Sequence, residues 1–218
     1  MPALFFGMIE RFSKATLPAL YTTISQKDEH LLSIVKEYGH PPLWIRPNNF
    51  ETLVLTILEQ QVSLASAYAA YKKLKERIGI ITPGALSNLT DDELRNCYLS
   101  RQKIVYTRGL AQAISREDLS LRKLHHQPDE VVRHELKKLK GIGDWTVDIY
   151  LLHALRRTDI FPVGDLALLN AIKMVKGLDK LSKEEALDMA EAWKPYRSIA
   201  TMLFWHYYIK KKNIKILH

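Results

Sequence analysis

The chain has a single cysteine, Cys97, among its 218 residues. One cysteine cannot form an intramolecular disulfide, and it cannot supply the four thiolates of a zinc site or an iron–sulfur cluster. A lone thiol is typical of a protein in a reducing compartment. The sequence therefore excludes a disulfide scaffold, and we expect a cytoplasmic, intracellular protein.

Long apolar runs are also absent. The most apolar stretch, residues 199–209, contains His206 and is far shorter than the ~20 residues that a membrane-spanning helix needs. The apolar segment 1–8 has no basic residue before it, unlike a secretory signal. We interpret it as a loose leader or a segment packed on the body, and we expect no membrane partner.

Strand signals are scarce, because the only β-branched run, residues 78–81, is too short to build a sheet. Helical spacing dominates instead. Apolar residues recur at i, i+3 and i+4 in several stripes, for example Phe50, Leu53, Val54, Ile57 and Leu58. Gly79 is predicted to end the long helix that starts near Phe50. The sequence predicts an all-α protein of about nine or ten helices.

The charge is not balanced. The 32 Lys and Arg residues exceed the 24 Asp and Glu residues, which gives a formal net charge of +8. A basic globular protein is most simply explained by a polyanionic partner, of which nucleic acid is the commonest. A solubilising surface is the alternative that charge alone leaves open.

The segment 136–155 predicts two helices joined by a tight turn at Gly141 and Gly143, because two glycines so close destabilise a helix. The second helix then begins near Asp144, and its first N–H groups form an anion site. Glycines let a phosphate backbone approach closely. Three lysines precede the turn: Lys137, Lys138 and Lys140. These features favour a sequence-independent grip on DNA over an ordinary turn between helices.

Asp165 follows a proline and a glycine and precedes a helix predicted from Leu166 to Val175, so it is predicted to be a helix N-cap. For an arbitrary aspartate an ordinary cap, worth ~1 kcal/mol, would be the better interpretation. Two further facts favour a functional role for Asp165. The apolar residues 160–163, which precede it, would exclude water from one side of the Asp165 carboxylate. The distance from Gly143, about one helix and a return loop, would allow Asp165 to reach the face of the hairpin.

Four segments together carry a family resemblance. The hairpin LKGIGDWT followed by PVGD resembles the helix–hairpin–helix DNA glycosylases. Residues 50–63 and 100–114 are similar to two further motifs of that superfamily. Residues 193–205, WKPYRSIATMLFW, closely resemble a helix of the bacterial 3-methyladenine DNA glycosylases of type II. The resemblance covers about residues 39–208 and indicates a short form without the N-terminal β-domain of some members.

The resemblance implies two helical domains with the active site in the cleft between them. Residues 48–155 would form a six-helix bundle that contains the hairpin. Residues 1–47 and 156–218, from both termini, would form the second domain.

The resemblance also assigns roles. Asp165 matches the catalytic aspartate. The DNA-binding group comprises Leu139, Gly141, Ile142, Gly143, Thr146, Lys137, Lys138, Lys140 and Gln60. No cofactor is required, but the carbonyls of Lys137, Leu139 and Ile142 would hold a structural Na⁺ or K⁺ when DNA is bound. Gln60 and Gln61 either face DNA or bond the backbone.

Bifunctional members carry a Schiff-base lysine where this chain has Trp145, so the resemblance implies a monofunctional enzyme in which water attacks. Trp145 and Trp205 are predicted to line the base pocket, where an indole face attracts a cationic base; for Trp145 a place in the core is equally open. Ile149 replaces a pocket tyrosine of relatives, with Tyr150 beside it. Trp193 continues an amphipathic stripe and is predicted to be core.

Base flipping leaves a gap in the stack that apolar wedges fill. The loop 39–44 is stiff and carries Leu43, the predicted wedge, and Trp44, the second choice. A buried loop residue is the alternative for both.

These features predict a monofunctional DNA glycosylase that excises alkylated purines, such as 3-methyladenine and 7-methylguanine, in base excision repair. We expect a nucleoid-associated monomer that acts on double-stranded DNA with damaged bases. The alternatives are a glycosylase for oxidised or deaminated bases and a non-catalytic DNA-binding module.

Overall fold

A computed structural model describes residues 10–215, which contain thirteen α-helices. They are α1 (Leu17–Ser25), α2 (Glu29–Tyr38), α3 (Phe50–Glu59), α4 (Leu64–Ile78), α5 (Pro83–Ser87), α6 (Asp91–Asn96), α7 (Arg101–Ser115), α8 (Leu121–Leu124), α9 (Asp129–Lys137), α10 (Asp144–His153), α11 (Leu166–Lys176), α12 (Lys183–Glu191) and α13 (Arg197–Lys211).

The predicted all-α class is confirmed. Within residues 10–215 the only β feature is an isolated bridge between Arg11 and Arg157. More helices form than the sequence predicts, because α5, α6 and α8 have four to six residues. Helices this short contain less than two turns, so no apolar stripe repeats along them.

The long helix predicted from Phe50 to Gly79 is wrong. It is interrupted by residues 60–63, which separate α3 from α4. Gln61 adopts a left-handed backbone with φ of 55°, and the side chain of Ser63 caps α4 by accepting the N–H of Ser66. Two helices therefore form where apolar spacing predicts one, because a local cap starts the second. Gly79 does end α4, with φ of 70°.

The chain divides into two compact units. In the described part, the first comprises residues 10–45 and 151–214. Its core forms where α13 packs against α1, α2 and α11. Leu31, Ile172 and Leu203 are fully buried there, and so is Trp193, which confirms its prediction as a core residue.

In the described part, the second unit comprises residues 46–150 and residue 215. Its centre is α3, in which every residue except Glu51 is buried, and α3 packs against α4 and α7. The boundaries expected from the resemblance lay after residues 47 and 155, and the predicted domain organisation stays a prediction.

No helix among the described residues is both long and apolar enough to cross a membrane. The apolar segment 1–8 lies outside the described residues.

Candidate functional site

Asp165 is the N-cap of α11, as the sequence predicts. Its Oδ1 accepts the backbone N–H of Leu168 at 2.8 Å. The same oxygen accepts the indole N–H of Trp205 on α13 at 3.0 Å. Two donors on one oxygen fix the orientation of a half-buried carboxylate, and the N-terminal end of a helix stabilises its negative charge. The Asp165 carboxylate is therefore held in a fixed orientation, in addition to capping α11.

An aromatic pair lies beside this carboxylate. The indole of Trp205, only 9% exposed, stacks on the imidazole of His153 at the end of α10. The ring centroids are 5.5 Å apart and the planes differ by 12°. Nδ1 of His153 lies 2.7 Å from the carbonyl oxygen of Trp44. Sequence reasoning missed His153, because a histidine at the end of a helix carries no distinctive pattern.

The loop that leads to Asp165 is held by the start of α13. Arg197 forms a two-pronged ion pair with Asp159, in which Nε and Nη2 lie 2.7 and 2.9 Å from the carboxylate oxygens. The buried hydroxyl of Ser198 accepts the N–H of Ile160 at 2.8 Å. These contacts give the Arg-Ser part of the 193–205 motif a physical role, which is to place the segment that ends at Asp165.

Leu166 directly follows Asp165 and exposes 75% of its surface. A large apolar side chain so exposed beside a carboxylate is a candidate contact for an apolar or aromatic ligand. Sequence reasoning passed over Leu166, because it lies outside the apolar stripe of this helix, in which Leu168, Ala171 and Ile172 are buried.

The predicted hairpin lies between α9 and α10. Gly141 has φ of 86°, and a Cβ at this position would overlap the ring of Tyr106. Gly143 is different, since its φ is not positive and an added Cβ would meet no atom within 4 Å. Only Gly141 is therefore needed to make the turn. Gly143 leaves an open approach to the N-terminus of α10.

Gln60 is bonded to this turn. Its side-chain amide lies 2.8 Å from the carbonyl oxygen of Gly141 and 2.9 Å from the hydroxyl of Thr146. Of the two roles considered for Gln60, the structure places it on the backbone of the hairpin. Direct contact of Gln60 with DNA stays a prediction.

The end of α3, which carries Gln60, is anchored on two sides. Arg46 pairs with the buried carboxylate of Glu59 through two hydrogen bonds of 2.7 and 2.8 Å. The ammonium of Lys103 donates to the carbonyl of Leu58 at 2.6 Å, and burial lowers the pKa of Lys103. The lysine of the 100–114 motif is thus a helix cap that holds Gln60 in place.

Two of the three hairpin lysines are paired. Lys137 lies 2.6 Å from Asp144, and Lys138 lies 2.8 Å from Glu135. Within residues 10–215 the exposed Lys140 has no ion-pair partner. Because exposed pairs contribute only ~0–1 kcal/mol, a phosphate can replace Asp144 or Glu135 as partner. Lys137 also neutralises the carboxylate that stands at the start of α10.

A partly buried ion pair joins the two helices of the hairpin, from Arg133 on α9 to Asp148 on α10. Asp148 is 5% exposed. Desolvation raises the pKa of its carboxyl to about 6, although the nearby Arg133 acts in the opposite direction. This pair was not predicted, because nothing in the sequence reveals that position 148 is buried.

The other predicted residues of this unit differ in exposure. Ile142, Thr146 and Ile149 are buried, and Leu139 and Trp145 are half-buried. Tyr150 is fully buried, and its hydroxyl donates to Asn48 at 2.6 Å. A base would contact Tyr150 only after its neighbours moved. The assignments of these residues to DNA binding or to the base pocket stay predictions.

The wedge candidates lie in loops. Leu43 is 36% exposed and Trp44 is half-buried, on a segment without regular structure between α2 and α3. A second exposed apolar residue, Val62, is 46% exposed in the turn that follows Gln60. Sequence reasoning missed Val62, because the turn lies where a continuous helix was predicted.

Comparison with known proteins agrees with this geometry. The sequence profile described as HhH-GPD superfamily base excision DNA repair protein matches residues 54–196. A relative from Bacillus subtilis, a putative DNA-3-methyladenine glycosylase named YfjP, is 30% identical over 91% of this chain and 67% of its own length.

Two solved structures are also similar. The DNA-3-methyladenine glycosidase of Bacillus halodurans has a TM-score of 0.74 and 28% identity, over 94% of this chain and 95% of that one. The Schizosaccharomyces pombe 3-methyladenine DNA glycosylase Mag1, solved with abasic DNA, has a TM-score of 0.77 and 26% identity. It covers 89% of this chain and 97% of its own. The predicted resemblance is confirmed, and the chain belongs to the HhH-GPD superfamily of base excision DNA repair proteins.

Proposed function

We propose that this chain is a monofunctional DNA glycosylase that hydrolyses the N-glycosidic bond of alkylated purines in double-stranded DNA. The observation that carries the proposal is the carboxylate of Asp165, held at the N-terminus of α11 by Leu168 and Trp205. The relatives named DNA-3-methyladenine glycosylases support the substrate class.

One carboxylate is sufficient for this reaction. A purine alkylated at N3 or N7 is cationic, so it leaves without a general acid, unlike the leaving groups of ordinary sugar hydrolysis. As the bond breaks, the sugar acquires oxocarbenium character. Asp165 stabilises that positive charge and orients the attacking water. The base must first be flipped out of the duplex.

The aromatic residues supply selectivity. A cationic base over an indole gains about 0.5–2 kcal/mol of cation–π attraction, which a neutral base lacks. Trp205 is the first candidate because its indole N–H bonds the carboxylate of Asp165, and the exposed Leu166, which follows Asp165 in the chain, is a second candidate contact. Trp145 occupies the position at which bifunctional members carry lysine, so we expect borohydride to trap no covalent DNA adduct.

The hairpin is proposed to bind one DNA strand through N–H groups at the start of α10, with Lys137, Lys138 and Lys140 as charge partners. The carbonyls of Lys137, Leu139 and Ile142 are suitable ligands for a hard monovalent cation. The carbonyl of Leu139 accepts one N–H, from Ile142, and keeps a second lone pair. DNA affinity in K⁺ compared with tetramethylammonium, at equal ionic strength, tests this role.

Leu43 remains our wedge candidate, and Val62 is the exposed alternative next to Gln60. We also propose that the chain acts as a monomer, which light scattering of the free protein tests.

Asp165→Asn tests the proposal, because the amide oxygen keeps both hydrogen bonds while the charge is removed. We expect loss of 3-methyladenine and 7-methylguanine release from alkylated duplex, with DNA binding retained. Asp188→Asn, at an exposed position of α12, is the matched control and should behave like the parent. Turnover of Asp165→Asn near that of the parent would contradict the assignment. Release of oxidised or deaminated bases instead of alkylated ones would contradict the proposed substrate class.

A further inference from the structure

His153 connects three segments around the candidate site. It is the last residue of α10 and is 8% exposed. One face of its ring stacks on Trp205, and Nδ1 lies 2.7 Å from the carbonyl oxygen of Trp44. A carbonyl oxygen only accepts hydrogen bonds, so Nδ1 carries a proton and donates it. The imidazole plane is thus fixed by a hydrogen bond and by a stacked neighbour.

The stack has a consequence for Asp165. The N–H of an indole lies in the plane of its ring, so the orientation of the Trp205 ring decides where its donor points. That donor holds Oδ1 of Asp165 at 3.0 Å. The backbone N–H of Leu168 donates to the same oxygen, and the helix itself fixes that donor. The orientation of Trp205 therefore contributes to the position of the carboxylate.

We propose that His153 is a positioning residue, which orients Trp205 and through it the Asp165 carboxylate. The imidazole also connects this pair to the loop that carries Leu43, because the carbonyl that accepts its proton belongs to the next residue, Trp44. The inference rests on the proposed function for its kinetic consequence, whereas its structural part can be tested without turnover.

Three substitutions separate the stacking on Trp205 from the hydrogen bond to Trp44. His153→Phe keeps a stacked ring and loses the hydrogen bond. His153→Asn keeps a donor near the position of Nδ1 and loses the ring, and His153→Ala loses both. His126→Ala removes an exposed histidine of the other unit and is the control. Stability is compared by thermal unfolding, and kinetics use only variants that fold.

Two readouts are measured. The first is the indole N–H signal of Trp205 in ¹⁵N-labelled protein, identified by its absence in Trp205→Phe. The second is kcat for base release from alkylated duplex. Affinity for undamaged duplex is measured in parallel. Because a displacement of about 1 Å can cost about 100-fold in rate, we expect kcat to fall at least about tenfold in His153→Ala. Affinity for undamaged duplex should stay within about twofold, since the variant removes no cationic contact with phosphate.

We expect kcat to decrease from the parent to His153→Phe and further to His153→Asn and His153→Ala, because stacking sets the indole plane. The Trp205 signal should shift in the same order, and His126→Ala should match the parent in both. An unchanged Trp205 signal in His153→Asn and His153→Ala overturns the inference, even if kcat falls. If the parent itself releases no base, the proposed function fails, and the signal still decides the role of His153.

Discussion

The side-chain amide of Gln60 lies 2.8 Å from the carbonyl oxygen of Gly141, so the end of α3 supports the turn of the hairpin. The same amide nitrogen reaches Thr146 in the first turn of α10. One side chain thus connects the two parts of the hairpin that bind an anion in the proposed function, the glycine turn and the helix N-terminus.

Gln60→Ala should therefore weaken the hairpin rather than remove a charge. Loss of the two hydrogen bonds leaves a buried hydroxyl without this donor, which costs about 1–3 kcal/mol of stability. Affinity for undamaged duplex should fall, and the dependence of log affinity on log salt concentration should keep its slope. Denaturant unfolding and salt titrations measure both effects. A lower slope would mean that Gln60 itself organises phosphate neutralisation.

The two glycines of the hairpin should respond differently to alanine. Gly141→Ala forces a Cβ into the Tyr106 ring at a positive φ, which we expect to cost at least about 2 kcal/mol of folding free energy. Gly143→Ala meets no protein atom, so its stability should equal that of the parent. Its DNA affinity should nevertheless fall, because the added methyl obstructs a phosphate backbone. Parent-like DNA binding by a stable Gly143→Ala variant would contradict this role of the turn.

The hairpin lysines should not be equivalent. Lys140→Ala should lower the salt slope by about 1 if the lysine neutralises one phosphate. Lys137→Ala should lose more affinity than Lys140→Ala, since it also exposes the unpaired carboxylate of Asp144. Adding Asp144→Asn to Lys137→Ala should recover the excess loss, which a double-mutant cycle measures. The control is Lys194→Ala, which removes an exposed, paired lysine of the other unit. No recovery in the double variant would assign Lys137 to phosphate alone.

The raised pKa of Asp148 predicts that the stability of the protein depends on pH. Its pKa is about 6 in the folded protein, because desolvation outweighs the attraction of Arg133. The folded state therefore binds this proton more tightly than the unfolded chain, in which the pKa is about 4. Its contribution is fully present below the unfolded pKa and is lost as pH rises through about 6.

Asp148→Asn cannot titrate and should lack this dependence. The free energy of unfolding of the parent, relative to the variant, should fall by about 2 kcal/mol between about pH 4 and about pH 7. Urea unfolding across this range measures the difference, with Asp188→Asn as an exposed control. A difference that stays constant or grows with pH would show that Arg133 dominates the energetics of the pair.

Much of the fold could be predicted from the sequence, because the signals for helices lie in residues that are neighbours in the chain. Apolar stripes predict most of the long helices. Two helix starts are equally local, since Thr90 with Glu93 and Ser182 with Glu185 form capping boxes at the starts of α6 and α12. Two features of the fold were missed because local signals do not reveal them. The turn at residues 60–63 contains neither glycine nor proline, so apolar spacing continued across it. The shortest helices have too few residues for periodicity to appear.

The sequence by itself determined the all-α class, the two glycines between helices and Asp165 as a helix cap, because each follows from residues that are neighbours in the chain. Only tertiary structure decided the partners. Trp205 reaches Asp165 across 40 residues, and Gln60 reaches Gly141 across 81. Such contacts depend on how helices pack, and many packings satisfy the same apolar pattern. For that reason the sequence could propose candidates for the chemistry, whereas the donors that orient Asp165 and the hairpin turn became visible only in the folded chain.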